Sequence, residues 1–285
     1  MTAPQTLLKA WNLRARKELG QNFLKEAGVA ERIVRQADLG PHDTVLEIGA
    51  GLGVLTVAAA RQAGRVIAVE RDRQLAPLLR AELLVQGFPD VQIYEEDILR
   101  ISLAQLTASP TASLVVLGNL PYNISSQIVV KLIQERRQVD RAVLMFQKEL
   151  AQRLCAGPGT KAYGRLSVVL QYCADLTHFF DLRATQFYPQ PQVDSTVLGI
   201  RFKSYIQSPV SDERLFTRVV QAAFGQRRKT LRNALSGGLL PLDSSAAVQA
   251  LEACGIDPRR RAETLSVNEF VTLSNEIGAR LQTAV

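Results

Sequence analysis

Four short stretches of this chain bring together residue types that can do chemistry. In VLEIGAGLGVLT, residues 45–56, glycines at 49, 51 and 53 follow an apolar run. Glycine has no Cβ and accepts positive φ, so a turn of this kind lets a ligand approach the backbone at the carboxyl end of a strand. The spacing is Gly-x-Gly-x-Gly and differs from the Gly-x-Gly-x-x-Gly fingerprint of dinucleotide sites. The next apolar run, RVIAVE, ends in Glu70. A carboxylate there can accept from both hydroxyls of a ribose, each such bond contributing on the order of 1.5–3 kcal/mol. VQIYEEDIL then brings Asp97 to the corresponding place, where it can accept from the exocyclic amine of an adenine. Together these residues describe an adenosine pocket and leave open what the adenosine carries.

The fourth stretch, SLVVLGNLPYNIS, places Asn119, Leu120, Pro121 and Tyr122 after another apolar run. An amine such as the exocyclic nitrogen of adenine is a poor nucleophile, because its lone pair is delocalised into the ring. Two acceptors for its N–H hydrogens favour a tetrahedral nitrogen with a localised pair. The Asn119 side-chain carbonyl and the Leu120 or Pro121 backbone carbonyl supply them, and Pro121 stiffens the turn. Tyr122 can stack on a base turned out of its helix. Against an electrophile as strong as a sulfonium methyl no general base is required, and proximity and charge placement carry the rate. The plain alternative is a strand-end turn with a core tyrosine.

The elements that position these residues show in the hydrophobic pattern. Runs at 44–48, 65–70, 91–94, 113–119 and 141–146 are short, rich in Val, Ile and Leu, and apolar on both faces. They read as buried parallel strands, with helices at 54–62 and 72–85 between them and a further helix at 26–38 upstream. The expected fold class is α/β, an open sheet with right-handed crossovers. Beyond residue 203 the period becomes helical at 211–224, 228–237, 244–255 and 266–281, with Ser211 and Ser266 as N-caps and Gly237 and Gly255 as stops. The expected domains are residues 1–205, including an N-terminal helical lid at 1–40, and a small all-helical domain at 206–285.

Charge narrows the partners. Lys and Arg number 34 against 27 Asp and Glu, a net +7, and they are bunched at 14–17, 136–137, 227–232 and 259–261. Bunched positive charge favours a polyanion such as RNA or DNA. No apolar stretch approaches the roughly 20 residues that span a bilayer, and no signal peptide is evident, so a cytoplasmic protein without membrane association is expected. Three scattered cysteines suggest neither disulfides nor zinc. His42 and His178 are read as having no useful partner, so no triad and no metal are expected.

The sequence resembles the ribosomal RNA adenine N6-dimethyltransferases that use S-adenosyl-L-methionine to modify two adjacent adenines near the 3′ end of 16S rRNA. LGQNFL (19–24), VLEIGAGLG (45–53), NLPYNIS (119–125), FQKELAQRL (146–154), YGRLSVVLQY (163–172), FYPQPQVDS (187–195) and AFGQRRKTLRNAL (223–235) carry the likeness. The resemblance implies a class I, Rossmann-like methyltransferase domain followed by a helical domain that meets RNA or the ribosome. It implies that Gln21, Asn22 and Leu24 close over the cofactor and that Gly49, Gly51 and Gly53 cradle it. Glu70 would hold the ribose, Asp97 the adenine, and Asn119 would border both cofactor and target amine. Phe187 would stack on the target base opposite Tyr122, although in a Pro-rich segment it reads equally as a core plug. Arg227, Arg228, Lys229 and Arg232 would contact phosphate. The implied partner is 16S rRNA within the 30S subunit or its precursor, met by a monomer. The rivals are a methyltransferase acting on a 23S rRNA adenine, a non-catalytic 30S assembly factor, and a nicotinamide oxidoreductase, the last disfavoured by the glycine spacing.

Overall fold

A computed structural model describes residues 2–107, 113–226 and 228–283. In chain order the N-terminal part forms α1 (Pro4–Ala10), β1 (Phe23–Leu24), α2 (Ala27–Gln36), β2 (Thr44–Ile48), α3 (Val54–Ala60), β3 (Arg65–Val69), α4 (Leu75–Val85) and β4 (Gln92–Tyr94). There follow β5 (Leu114–Asn119), α5 (Ser125–Gln134), β6 (Val139–Gln147), α6 (Lys148–Cys155), α7 (Arg165–Cys173), β7 (Ala174–Leu182), β8 (Phe187–Tyr188) and β9 (Ser195–Phe202). Seven strands make one sheet in the order β4-β3-β2-β5-β6-β9-β7. β4, β3, β2, β5 and β6 run parallel, with Val45 opposite both Val66 and Val115, whereas β9 runs antiparallel to β6. β1 and β8 pair separately, Leu24 opposite Phe187. All five expected strand runs are present. The antiparallel addition of β9 and β7 is the part that the strand–helix alternation does not announce.

The central strands are apolar on both faces because both are covered. Val29, Ala30, Ile33 and Val34 share one side of α2 and pack into a core with Ala58 and Ala59 of α3 and Val45, Val66 and Val115 of the sheet. Each fully buried Val or Ile contributes roughly 1.5–3 kcal/mol. That packing fixes the carboxyl edge of the sheet, where β2, β3 and β5 all end in the residues singled out above.

The chain divides into two compact units, residues 2–151 with 175–202, and residues 152–174 with 203–283. The expected division at 205 therefore differs at 152–174, which groups with the C-terminal helices. Its aromatic residues explain the grouping: Tyr163 meets Phe224 edge-on with ring centroids 6.0 Å apart, Tyr172 lies 4.7 Å from Phe216, and the Val210 N–H donates to the Tyr172 hydroxyl at 3.1 Å.

The second unit continues with α8 (Glu213–Phe224), α9 (Leu231–Leu235), α10 (Ser244–Ala253) and α11 (Val267–Thr283). The cap of α8 is Asp212 and not Ser211, because the Asp212 carboxylate accepts from the Arg214 and Leu215 N–H groups at 2.7 and 3.1 Å. Ser266 does cap α11, in a reciprocal box with Glu269. α9 is shorter than the expected 228–237. Gly255, at φ +70°, ends α10 as expected. Among the described residues no helix is long and apolar enough to cross a membrane.

Candidate active site

A cleft of about 1160 Å3, its open mouth included, lies in the first unit at the carboxyl ends of β2, β3 and β5. Its floor is the loop from β2 to α3, where Gly49, Gly51 and Gly53 take φ of +75°, +55° and +82°. Side chains resist that region, and a Cβ on Gly51 would sit 3.1 Å from the Phe23 ring. Gly49 and Gly51 line the cleft, while Gly53 stands behind them as the N-cap of α3.

Glu70 and Asp97 also line the cleft. Glu70 is buried, and its carboxylate accepts from the Gly51 N–H and the Asp72 N–H, both at 2.7 Å. Burial raises its pKa, and the two N–H bonds oppose the rise. The carboxylate is thus held rigidly, and each oxygen keeps a further lone pair for a hydroxyl. Asp97 accepts from the Leu99 N–H at 3.0 Å and lies 3.4 Å from Arg71 Nη1. Arg71 lines the cleft too.

On the other side of the cleft stand Asn119 and Pro121. The Asn119 Nδ2 donates to the Asn22 backbone carbonyl at 2.7 Å. Its amide oxygen is therefore the end left to accept from an incoming amine. Pro121 packs against the glycine loop, its ring 3.6 Å from where a Gly49 Cβ would lie. Gln21, Asn22 and Leu24 line the cleft from the N-terminal segment.

Tyr122 is partly exposed, beside the residues that line the cleft. Its hydroxyl is 2.8 Å from Ser195 Oγ, and burial raises its pKa. Ser195, fully buried at the start of β9, lies in FYPQPQVDS yet was not singled out by the sequence reading. Phe187 is fully buried in the core with Leu24 and Val197. The structure thus places it as the core plug, because its ladder partner Leu24 turns it inward.

Glu47 was missed as a site residue. It lines the cleft beneath the glycine loop at 2% exposure, and burial pushes its pKa up to about 8, with Glu70 adding to the rise. An acidic residue inside an otherwise apolar strand was the available signal. A second correction concerns His178, which does have a carboxylate partner: its Nε2 lies 3.0 Å from Asp181 Oδ1. Asp181 also takes Lys148 Nζ at 2.8 Å and accepts from the Thr196 hydroxyl at 2.8 Å, so the imidazole belongs to a set of ion pairs and hydrogen bonds gathered on one carboxylate. Among the described residues no group of three or more His, Cys, Asp or Glu could hold a metal ion.

In the second unit Arg228, Lys229 and Arg232 are exposed, and Arg232 Nε donates to Ser244 Oγ at 2.7 Å. Arg227 lies outside the described residues.

A family model described as ribosomal RNA adenine dimethylase matches residues 12–279. The ribosomal RNA small subunit methyltransferase A of Desulforapulum autotrophicum is 47% identical over 277 residues, 97% of each chain. That of Geobacter sulfurreducens is 46% identical over 263 residues, 92% of this chain and 95% of its own. A solved dimethyladenosine transferase from Plasmodium falciparum superposes with a TM-score of 0.76 at 28% identity, covering 90% of this chain and 98% of that one. The 23S rRNA methyltransferase ErmE, at a TM-score of 0.68 and 24% identity over 90% of this chain and 100% of its own, shares the fold. The cleft fits S-adenosylmethionine: a rigid buried carboxylate suits the ribose, Asp97 the adenine, and the Cβ-free turn the close approach of the methionine part. Fold, cleft and a match running through both units agree that this chain belongs to the ribosomal RNA adenine dimethylase family of S-adenosylmethionine-dependent enzymes.

Proposed function

We propose that this enzyme dimethylates the N6 amines of two adjacent adenosines near the 3′ end of 16S rRNA, within the 30S subunit or its precursor. The observation that carries the reading is the 47% identity, over 97% of both chains, to a relative named for the small ribosomal subunit. S-adenosylmethionine, when bound, supplies the electrophilic methyl group. The protein's part is to place and prepare the amine. Asn119, with its amide nitrogen tied to Asn22, offers its oxygen to one N–H of the amine. The Pro121 carbonyl is already taken by the Ile124 N–H at 3.2 Å, so the Leu120 carbonyl is the freer second acceptor. Two acceptors localise the nitrogen lone pair toward the methyl carbon, and the developing positive charge is met by fixed dipoles.

Tyr122, held at its hydroxyl by Ser195, presents a ring face on which an extruded adenine stacks. Phe187 supports this wall from within the core. Glu70, Asp97, Asn22, Leu24 and the glycine loop hold the cofactor. Arg228, Lys229 and Arg232, with Arg227, contact RNA phosphates. We expect the enzyme to act in the cytoplasm, as a monomer, in 30S biogenesis.

The test is labelled methyl transfer to unmodified 30S particles, 50S particles and naked rRNA, with mass spectrometry locating the product. Dimethyladenosine at two neighbouring 16S positions in the 30S sample is the expected result. Labelling of 23S RNA alone would refute the small-subunit assignment.

A further inference from the structure

Asp72 is buried, and the chemistry above makes no use of its carboxylate. Three donors converge on it. Gln21 Nε2 donates to Oδ2 at 2.7 Å, the Gln74 N–H donates to Oδ1 at 3.1 Å, and Arg16 Nη1 lies 3.6 Å from Oδ1. The other end of the Gln21 amide is also engaged, since its Oε1 accepts from the Arg16 N–H at 2.8 Å. Asp72 is itself fastened to the ribose acid, because its N–H donates to Glu70 Oε1.

The same N-terminal segment is tied to the opposite wall. Asn119 Nδ2 donates to the Asn22 carbonyl at 2.7 Å, and Asn123 Nδ2 donates to the Glu18 carbonyl at 3.3 Å. Residues 16–22 therefore form a strap held on one side by Asp72, beside Glu70, through Arg16 and Gln21, and on the other by Asn119 and Asn123, through Asn22 and Glu18. A buried carboxylate whose counter-charge is a half-exposed arginine depends on its hydrogen bonds, and removing a partner is strongly unfavourable. Such a group holds one geometry against its alternatives. With both ends of its amide in use, Gln21 acts through Asp72.

We propose that Asp72 is a positioning residue that clasps the strap over the bound adenosyl ligand through Gln21, and that the strap in turn sets the Asn119 amide through the Asn22 carbonyl. The clasp governs how fast the ligand leaves. The inference rests on the cleft holding S-adenosylmethionine and is independent of which RNA is methylated.

The test measures S-adenosylhomocysteine binding to the full chain by stopped flow, without RNA. Asp72→Ala speeds dissociation about tenfold with the association rate little changed. Gln21→Ala does the same, and the double variant is no worse than either single one. Asp72→Asn keeps an acceptor for Gln21 but sets its amide nitrogen against the Gln74 N–H and Arg16, and its dissociation rate falls between those of the parent and Asp72→Ala. If Asp72→Ala does not fold, Gln21→Ala and Gln21→Glu ask the same question at a partly exposed side chain, the glutamate setting a second carboxylate against Asp72 and speeding release further. An unchanged dissociation rate in Gln21→Ala, or additive losses in the double variant, would overturn the proposal.

Discussion

The two units of this chain differ in what their charges do. The first, residues 1–151 with 175–202, has 20 Lys and Arg against 19 Asp and Glu. The second, residues 152–174 with 203–285, has 14 against 8 and so carries six of the net seven positive charges. In the first unit three acids at the carboxyl edge of the sheet are partnered: Glu70 by backbone N–H groups, Asp72 by Gln21 and Arg16, Asp97 by Arg71. In the second, exposed residues such as Arg228 and Arg261 have no carboxylate partner among the described residues, although Arg259 and Arg260 pair with Asp257 and Glu269. Chemistry is assigned to the near-neutral unit, where fixed dipoles count most, and attraction for a polyanion to the basic one.

If that division holds, the two halves of function come apart under mutation. The largest effect is expected at Asn119. Asn119→Ala removes an acceptor needed as the amine reacts, so turnover falls about a hundredfold or more, by analogy with the loss of one preorganised hydrogen-bonding group in other active sites. Cofactor affinity, which depends on many contacts, stays within about tenfold. Near-normal turnover would end the amine-acceptor role, and a parallel collapse of cofactor binding would make Asn119 a cofactor ligand first.

Replacing Arg228, Lys229 and Arg232 together by Ala should act on the other half. RNA affinity falls by about tenfold or more, and the slope of log affinity against log salt shrinks by roughly 0.7–0.9 for each phosphate that is no longer neutralised. S-adenosylhomocysteine affinity should not move. An unchanged salt slope would show that these side chains do not meet phosphate. A changed cofactor affinity would break the division itself.

How much of this was legible in the sequence depends on how local each feature is. The places of Gly49, Glu70, Asp97 and Asn119 along the cleft were readable because each lies at or just beyond the end of a recognisable strand, and strand ends in a parallel sheet converge on one edge. The central five strands were readable for the same reason. Features set by distant pairing were not. Phe187 stands in a Pro-rich segment that offers no periodicity, and only its pairing with Leu24, far away in the chain, turns it into the core. Asp72 sits between two arginines with no local signal of a role, and the fold brings Gln21 to it from 51 residues away. Residues 152–174 precede two further strands of the first unit's sheet, and aromatic contacts with Phe216 and Phe224 tie them to the second unit instead.

Glu47 sharpens the charge comparison and supplies its smallest test. The tally of 19 acids in the first unit counts Glu47 as ionised, yet burial holds its pKa at about 8, so at neutral pH it is largely protonated. The unit is accordingly more positive than its formal count. The sign of the consequence follows from linkage. A carboxyl group whose pKa rises on folding keeps a proton that the unfolded chain has already released, so its stabilising contribution is full below the ordinary value of 4.5 and is lost as pH rises through about 8. Across that window stability falls with pH, by at most about 1.4 kcal/mol per pH unit from one such group. Glu47→Gln keeps the shape of the protonated acid and cannot ionise. Its melting temperature should decline less than the parent's between roughly pH 5 and pH 8, and the two curves should converge at the acidic end. Parallel curves would mean that Glu47 ionises at its ordinary pH, and that the near-neutral tally of the first unit stands as counted.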